Sequence, residues 1–158
     1  MKTVCLIKSS AFVSIGVIGS ILTNLFGAFD IGLITLIIFM AVDYITGFTV
    51  AAVFKKSTKS QNGALSSNAG FKGLFRKGGI LLVVLVSHRL DLFLNSSFIR
   101  SAVITAFTAN EAISIAENAG LMGIPIPSVI TRSIDILGKK AEYLSKENPK
   151  SKEKDDTT

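Results

Sequence analysis

Charged side chains interrupt the long apolar runs of this sequence at three places. Asp43, Arg89 and Glu111 each lie near the middle of a segment that is otherwise mostly apolar. A charge at the centre of a membrane rarely faces lipid; it faces a partner, the interior of a helix bundle or a water-filled cavity. These residues therefore predict either a buried ion pair, formed by Arg89 with Asp43 or Glu111, or a surface that lines water.

The last of the apolar segments carries the densest set of polar side chains. Glu111, Ser114 and Asn118 follow the spacing i, i+3, i+7 and share one helical face, and Asn110 and Glu117 form an adjoining stripe. Such a flank either lines water once helices assemble or hydrogen-bonds neighbouring helices. The full candidate set for a pore lining or an intramembrane polar network is Asp43, Arg89, Asp91, Asn110, Glu111, Ser114, Glu117 and Asn118.

The residues that could support enzymatic chemistry do not form a recognisable arrangement. The only histidine, His88, has no nucleophile placed beside it and no second His or Cys at metal-ligand spacing. The glycines of residues 70–79 are not followed by the Lys-Ser/Thr pair of a phosphate-binding loop. The sequence therefore predicts neither an enzyme nor a metal or cofactor site.

Four segments are apolar enough to suggest membrane-spanning helices, at 11–29, 31–54, 78–97 and 98–122. A spanning helix needs about 20 mostly apolar residues. In 31–54, thirteen of 24 residues are Leu, Ile, Val or Phe. Each favours insertion by about 0.3 to 0.6 kcal/mol, which together exceeds the cost of about 2.5 to 3.5 kcal/mol for one central Asp. We therefore expect an all-α membrane bundle within residues 1–127, with four crossings, or three if the first segment does not cross.

The distribution of basic residues predicts the orientation of this bundle. The segment 55–77 has six Lys or Arg and no acid, and short loops of this kind stay in the cytoplasm. Four crossings place both ends of the chain in the cytoplasm, and three place the N-terminus outside. The net charge of +6 is then mainly a topology signal, with attraction to anionic lipid as a second use, and nucleic-acid binding is not expected.

Small residues and a mixed basic and aromatic stretch indicate two kinds of contact. Glycine and serine let helices approach closely in lipid, either within one chain or between copies, and the candidates are Gly16, Ser20, Gly27 and Gly47. Aromatic rings in the headgroup zone with cations toward lipid phosphates are typical of the cytoplasmic membrane interface. The candidates for that role are Phe71, Lys72, Phe75, Arg76 and Lys77.

The C-terminal third of the chain changes character after residue 122. Gly123, Pro125 and Pro127 end the preceding helix, because neither proline can continue it. Apolar residues then recur at 4-3-4-3 spacing, which predicts an amphipathic helix over 128–146 that lies on the membrane or pairs as a short coiled coil. The Lys-rich tail, 147–158, lacks apolar residues and is expected to be disordered.

Three motifs resemble those of the toxin-secretion/phage-lysis holin family. They are "DYITG" at 43–47, "SSNAGFKGLFRKGG" at 66–79 and "NEAISIAENAGLMGIPIP" at 110–127, and the resemblance covers about residues 31–140. It implies a non-enzymatic protein that oligomerises in the bacterial cytoplasmic membrane. There it would open non-specific lesions that release a phage endolysin or a secreted toxin. The alternatives are a membrane adaptor or holin inhibitor that forms no pore, and a small ion channel.

Overall fold

The computed structural model describes residues 16–17, 19–55 and 67–146, and its regular elements are all helices. The helices are α1 (helical residues 16–17 and 19–26), α2 (Ile31–Thr49, continued by a π-helix over Val50–Phe54), α3 (Ser67–Leu94), α4 (Ile99–Leu121) and α5 (Ser128–Lys146). The prediction of an all-α protein is confirmed. The predicted tail, 147–158, lies outside the described residues.

The helix formed by Ile31–Phe54 is long and apolar enough to cross a membrane, and it is the only such helix in the described ranges. It begins at Asp30, whose carboxylate accepts a hydrogen bond from the Leu33 amide at 2.9 Å and so caps the helix. It ends at Lys55, which adopts a left-handed conformation with φ 51°. The predicted set of four spanning helices is therefore not confirmed by length and composition.

The third helix begins earlier than the sequence predicts. Residues 67–77, expected in a cytoplasmic loop, form the first turns of α3, and the predicted span 78–97 ends instead at Leu94. Glycines disfavour a helix, and this stretch contains several. Gly70 and Gly73, however, lie against Tyr44 of α2: its hydroxyl oxygen is 3.8 Å from where a Cβ on Gly70 would be, and its ring atom Cε2 is 4.0 Å from where a Cβ on Gly73 would be. This close approach between helices is a tertiary effect that local propensity does not contain.

Helix α4 is the centre of the bundle and contacts α2, α3 and α5. A four-residue turn, 95–98, joins α3 to α4, and Asn95 occupies the left-handed region there with φ 50°. The two helices run antiparallel. The buried apolar core is small and consists of Leu33, Leu36, Met40, Ile80, Val84 and Ile104. Its position on three helices fixes which faces of α2, α3 and α4 point inward.

The C-terminal helix folds back onto the bundle. Helix α4 ends at Leu121, and Gly123 follows with φ 77°, a conformation that favours glycine. After 124–127, α5 runs from Ser128 to Lys146 and packs along α4 of the same chain. Its half-buried apolar residues are Ile134, Leu137, Ala141 and Leu144. The heptad-spaced face is thus at least partly occupied by α4.

Candidate functional site: two polar clusters in a helix bundle

Buried polar side chains meet at the middle of the bundle. The Lys77 ammonium lies 2.8 Å from Asp43 Oδ2 and 2.5 Å from Glu111 Oε2. Asn118 Nδ2 donates to Asp43 Oδ1 and to Thr46 Oγ1, each at 3.1 Å. These five residues come from α2, α3 and α4, and we call them the central cluster. They connect all three helices by contacts between side chains.

The central cluster is shielded from solvent and unequal in charge. The exposed fractions of the side chains are 9% for Asp43, 12% for Lys77 and 5% for Glu111. One ammonium faces two carboxylates, so the cluster carries a formal charge of −1 when all three groups are ionised. Removing one partner of a buried ion pair leaves a charge without compensation, which is strongly destabilising. The amide of Asn118 offsets part of the imbalance by donating to Asp43.

The predicted pairing of Arg89 with Asp43 or Glu111 is wrong. Arg89 is exposed and its Nη2 donates to Asn24 Oδ1 of α1 at 3.2 Å. The cation that reaches both acids is Lys77, twelve residues earlier on α3. Arg89 lies about 120° around the axis of α3 from Lys77 and about 18 Å further along it, so it is neither on the inward face nor level with the two acids.

The sequence predicts Lys77 to be one of the cations at the membrane interface, and the structure contradicts that prediction. Lys77 points inward, whereas Phe71, Lys72, Phe75 and Arg76 of the same stretch are exposed. The rings of Phe71 and Phe75 contact one another, with centroids 6.4 Å apart. The beginning of α3 thus presents an aromatic and basic outer surface while its inner face supplies the central cluster.

A second polar cluster lies at the end of the bundle where α2 and α4 begin. Arg100 Nη1 lies 2.5 Å from Asp30 Oδ2, and its Nε and Nη2 donate to the carbonyls of Phe26 and Ala28 at 2.8 and 2.9 Å. Asp91 of α3 accepts from the amides of Ile99 and Arg100 at 3.1 and 2.8 Å and so caps α4. We call Asp30, Asp91 and Arg100 with these carbonyls the end cluster. It joins α1, α2, α3 and α4.

The role of Asp91 differs from the one expected from sequence, and Arg100 was not anticipated. Asp91 is an N-terminal cap rather than a member of the central network. Arg100 lies in the first turn of α4, where the helix dipole disfavours a cation. Because a cation in that position needs a specific partner, its place at the start of α4 could have identified Arg100 from the sequence.

The charge of Asp30 is set by competing effects. Partial burial works to raise its pKa, but the hydrogen bond and charge of Arg100, together with the Leu33 amide bond, hold the pKa of Asp30 below its ordinary value. The carboxylate therefore stays ionised and serves both the helix cap and the ion pair.

The predicted packing residues divide into two groups. Gly47 lies next to the central cluster, where a Cβ would be 3.6 Å from Asn118 Nδ2, and Gly27 lies against His88, where a Cβ would be 2.9 Å from the ring. Gly27 also has φ 78°, so a larger residue would be strained as well as obstructed. Gly16 has no described atom within 4 Å of the Cβ position, and Ser20 is exposed.

The polar flank of α4 is also split. Glu111 and Asn118 point into the central cluster, and Ser114 is half-buried. Asn110 and Glu117, on the adjoining stripe, are exposed. Within residues 16–17, 19–55 and 67–146 there is no group of three or more His, Cys, Asp or Glu arranged to hold a metal. The chemistry available here is ion pairing and hydrogen bonding between helices.

Comparisons with known proteins agree on one family. The model of the bacteriophage holin family matches residues 20–139. A "probable holin" of Bacillus phage phi105 is 31% identical over 116 residues, which cover 73% of this chain and 75% of that protein. An uncharacterized 14.9 kDa protein from the nagH 3' region of Clostridium perfringens is 38% identical over 125 residues, 78% of this chain and 89% of its own length.

A third relative is the uncharacterized protein Lmo0128 of Listeria monocytogenes, 38% identical over 124 residues, which cover 78% of this chain and 83% of that protein. No solved structure matches the chain. The resemblance to phage-lysis holins drawn from the three sequence motifs is confirmed, and the matched range includes both polar clusters.

Proposed function

The chain belongs to the bacteriophage holin family, and we propose that it assembles in the bacterial cytoplasmic membrane and opens lesions there. Through such lesions an endolysin reaches the cell wall, and in a toxin-producing setting a secreted toxin would leave by the same route. The membrane association follows from the family; the oligomer, the lesion and its cargo are the proposal.

One observation carries this proposal: beside a small apolar core the bundle buries seven polar or charged side chains, while many large apolar side chains are exposed. The buried polar and charged residues are Asp43, Ser87, Asp91, Arg100, Thr108, Glu111 and Asn118. Ile31, Ile45 and Phe93 are instead 83, 63 and 84% exposed. Water-soluble domains bury their aliphatic residues and rarely expose large apolar patches. A bundle in lipid has the arrangement seen here.

The central cluster supports a common membrane level for three helices. Asp43 is the thirteenth of the 24 residues of the span Ile31–Phe54, so it lies at the middle of that helix. Lys77 and Glu111 contact Asp43 directly or through one another and therefore lie at the same depth. A hydrocarbon core of about 30 Å corresponds to about 20 helical residues. We propose that α3 crosses over about 67–87 and α4 over about 101–121.

Helices α3 and α4 do not qualify as spans by composition, because each has charged residues within the segment proposed to cross the membrane. Each carries charges that would be costly alone in lipid. In the folded bundle, Lys77 and Glu111 neutralise one another in part, and Arg100 pairs with Asp30 at the end of the helices. The ion pairs, rather than the apolar content of each helix, make the crossings of α3 and α4 feasible.

In the proposed mechanism the central cluster holds the closed form. Contacts between side chains on three helices can be exchanged for water or for another copy without breaking main-chain bonds. When α2, α3 and α4 separate, Asp43, Glu111 and Asn118 become the lining of an aqueous opening. A shift of about 1.4 kcal/mol changes a two-state equilibrium tenfold, so single contacts in this cluster suffice to alter timing.

The lesion is tested by expressing the protein in bacterial cells with and without an endolysin. We expect expression alone to stop growth and collapse the membrane potential, and co-expression to lyse the cells. Release of a folded cytoplasmic enzyme would distinguish a holin from a small ion channel, which passes ions only. A normal potential at high membrane-localised expression would contradict the proposal and favour an adaptor or a holin inhibitor.

The topology is tested by labelling with a membrane-impermeant thiol reagent in intact cells. With Cys5 replaced by Ser, Ser60→Cys and Ser151→Cys should stay unlabelled, because the segment 55–66 that precedes α3 and the Lys-rich tail are proposed to be cytoplasmic. In the unsubstituted chain, the native Cys5 reports the N-terminus: protection indicates four crossings and labelling indicates three. Rapid labelling at position 60 or 151 would overturn the orientation.

A further inference from the structure

Several exposed polar side chains lack partners in the described part of the chain, and four of them lie on the membrane-level parts of α3 and α4. Lys72 and Arg76 lie on α3, and Asn110 and Glu117 lie on α4. The ion pairs of the described residues use Lys77 and Arg100 as cations, and none uses Lys72 or Arg76. The bundle therefore leaves two cations on one helix and an acid with an amide on another.

The two exposed pairs lie at matching depths. Helices α3 and α4 are antiparallel, and the contact of Lys77 with Glu111 marks one level on both. At about 1.5 Å per residue, Lys72 lies about 7.5 Å from that level, and Glu117 lies about 9 Å from it in the same direction. Arg76 and Asn110 each lie within about 1.5 Å of it.

Lipid is a poor environment for these groups. If α2 crosses the membrane, the level of Lys77 and Glu111 is the bilayer middle, so Arg76 and Asn110 are close to the midplane. Charged residues at that depth face a bundle interior or water, and pair with one another. The Lys72 side chain can extend toward the interface, but Glu117 is too short to do so. Helix α5 already covers one side of α4, and a partner that covers the exposed face bearing Glu117 must therefore supply a cation.

We propose that this partner is a second copy of the chain, whose α3 lies against α4 of the first. A copy inserted with the same orientation presents Lys72 at the depth of Glu117, and Arg76 at the depth of Asn110. The contact joins two different surfaces, the α3 surface of one copy and the α4 surface of the other. In a dimer each protomer therefore still has one of these surfaces free. The same interface can then repeat to form a ring or an open array. This inference rests on the proposed function, because it requires α2, α3 and α4 to lie in a membrane.

The residues of α4 in this contact are adjacent in sequence to the residues of α4 in the central cluster. The outward Asn110 and Glu117 each precede an inward residue, Glu111 and Asn118 respectively, by one position on the same helix. A rotation of α4 by about 100° about its axis would therefore bring the outward amide and acid to the inward positions. In the closed assembly both sets are covered, one by Lys77 and the other by the neighbouring copy.

Disulfide cross-linking in membranes tests the contact. With Cys5 replaced by Ser, differently tagged Lys72→Cys and Glu117→Cys chains are co-expressed and oxidised. We expect a covalent dimer that carries both tags, which neither chain forms alone, and a ladder above the dimer from the Lys72→Cys/Glu117→Cys double variant. Leu74→Cys is the matched control, because it is exposed on the same helix but points about 160° away from Lys72.

Charge reversal gives an independent readout of the same contact. Glu117→Lys or Lys72→Glu alone should lower the yield of native oligomer by about tenfold or more, since like charges then face one another. The combination Lys72→Glu/Glu117→Lys should restore it. Absence of a mixed dimer, a ladder that stops at the dimer, or failure of the combination to restore assembly would overturn the proposal.

The outcomes separate this contact from the function on which it rests. Wild-type lysis with no cross-link between positions 72 and 117 would reject the contact and leave the holin role intact. A cross-linked ladder in cells that keep their membrane potential would support the contact and reject the lesion.

Discussion

The two polar clusters of this bundle use charge differently. In the end cluster, Arg100 pairs with Asp30 one to one, and its other donors bind main-chain carbonyls. In the central cluster, Lys77 serves two carboxylates, and its partners are side chains. Main-chain carbonyls are held by the backbone of α1 and of the connector after it, whereas side chains can change rotamer and partner. The end cluster is thus suited to hold one arrangement and the central cluster to change between two.

The largest effect is expected from Lys77→Met. It leaves Asp43 and Glu111 buried without a cation, which typically lowers the free energy of unfolding by about 3 to 5 kcal/mol. Thermal unfolding of the detergent-purified protein measures this. Adding Asp43→Asn and Glu111→Gln to Lys77→Met removes the uncompensated charges and should recover most of the loss. An unchanged unfolding temperature for Lys77→Met would show that the central cluster does not hold the helices together.

The next effect concerns timing. Asp43→Asn keeps the shape of the side chain and removes its charge, whereas Asp43→Ala removes the hydrogen bonds to Asn118 as well. Both should reach wild-type membrane levels, because insertion does not need the acid. Both should change the time to lysis at matched expression, with the larger change for Ala. The control is Asp135→Asn, an exposed acid on α5. Lysis of both variants on the wild-type schedule would remove Asp43 from the mechanism.

A smaller effect is expected in the end cluster. Arg100→Gln loses the ion pair with Asp30 and leaves the carbonyls of Phe26 and Ala28 without their donor. Water at the end of the bundle can replace some of these bonds, so we expect a loss of about 1 to 3 kcal/mol in the free energy of unfolding. Arg100→Lys should be intermediate, because it keeps the charge but not the fork of donors. If Arg100→Gln destabilises as much as Lys77→Met, the contrast between the clusters is lost.

The smallest effect is a pH dependence from Asp30. Its pKa is lower in the folded protein than the ordinary value of 3.8. The group therefore contributes stability above its unfolded pKa, and this contribution is lost as the pH falls through the folded pKa. Between about pH 5 and pH 2, wild-type protein in detergent should lose more stability than Asp30→Asn, which keeps a capping side chain. Equal loss in both would assign the acid sensitivity to other carboxylates.

Much of the local structure was predictable from the order of residues. The apolar run and the cap at Asp30 indicate the helix Ile31–Phe54, and the residues Gly123 to Pro127 indicate the break before α5. These features depend on neighbours within a few positions. The holin motifs were recognisable for the same reason, since each lies within one helix or one turn.

The candidate site was predictable only in part. Periodicity placed Glu111 and Asn118 on one face, and burial in the bundle agrees with a polar interior there. The choice of Lys77 over Arg89 was not predictable, because it depends on which face of α3 points inward and on the offset between α3 and its neighbours. Residues 67–77 are helical although they include Gly70 and Gly73, which lie within van der Waals distance of Tyr44 on α2.

The sequence alone therefore determined the helical class, the apolar content of the span and the faces that carry polar groups. These properties follow from a repeat of 3.6 residues and from the transfer of side chains between water and lipid. Only the tertiary structure decided which polar groups meet. A helical repeat specifies direction around an axis and contains no information on the displacement of one axis along another; close packing of three helices sets that displacement.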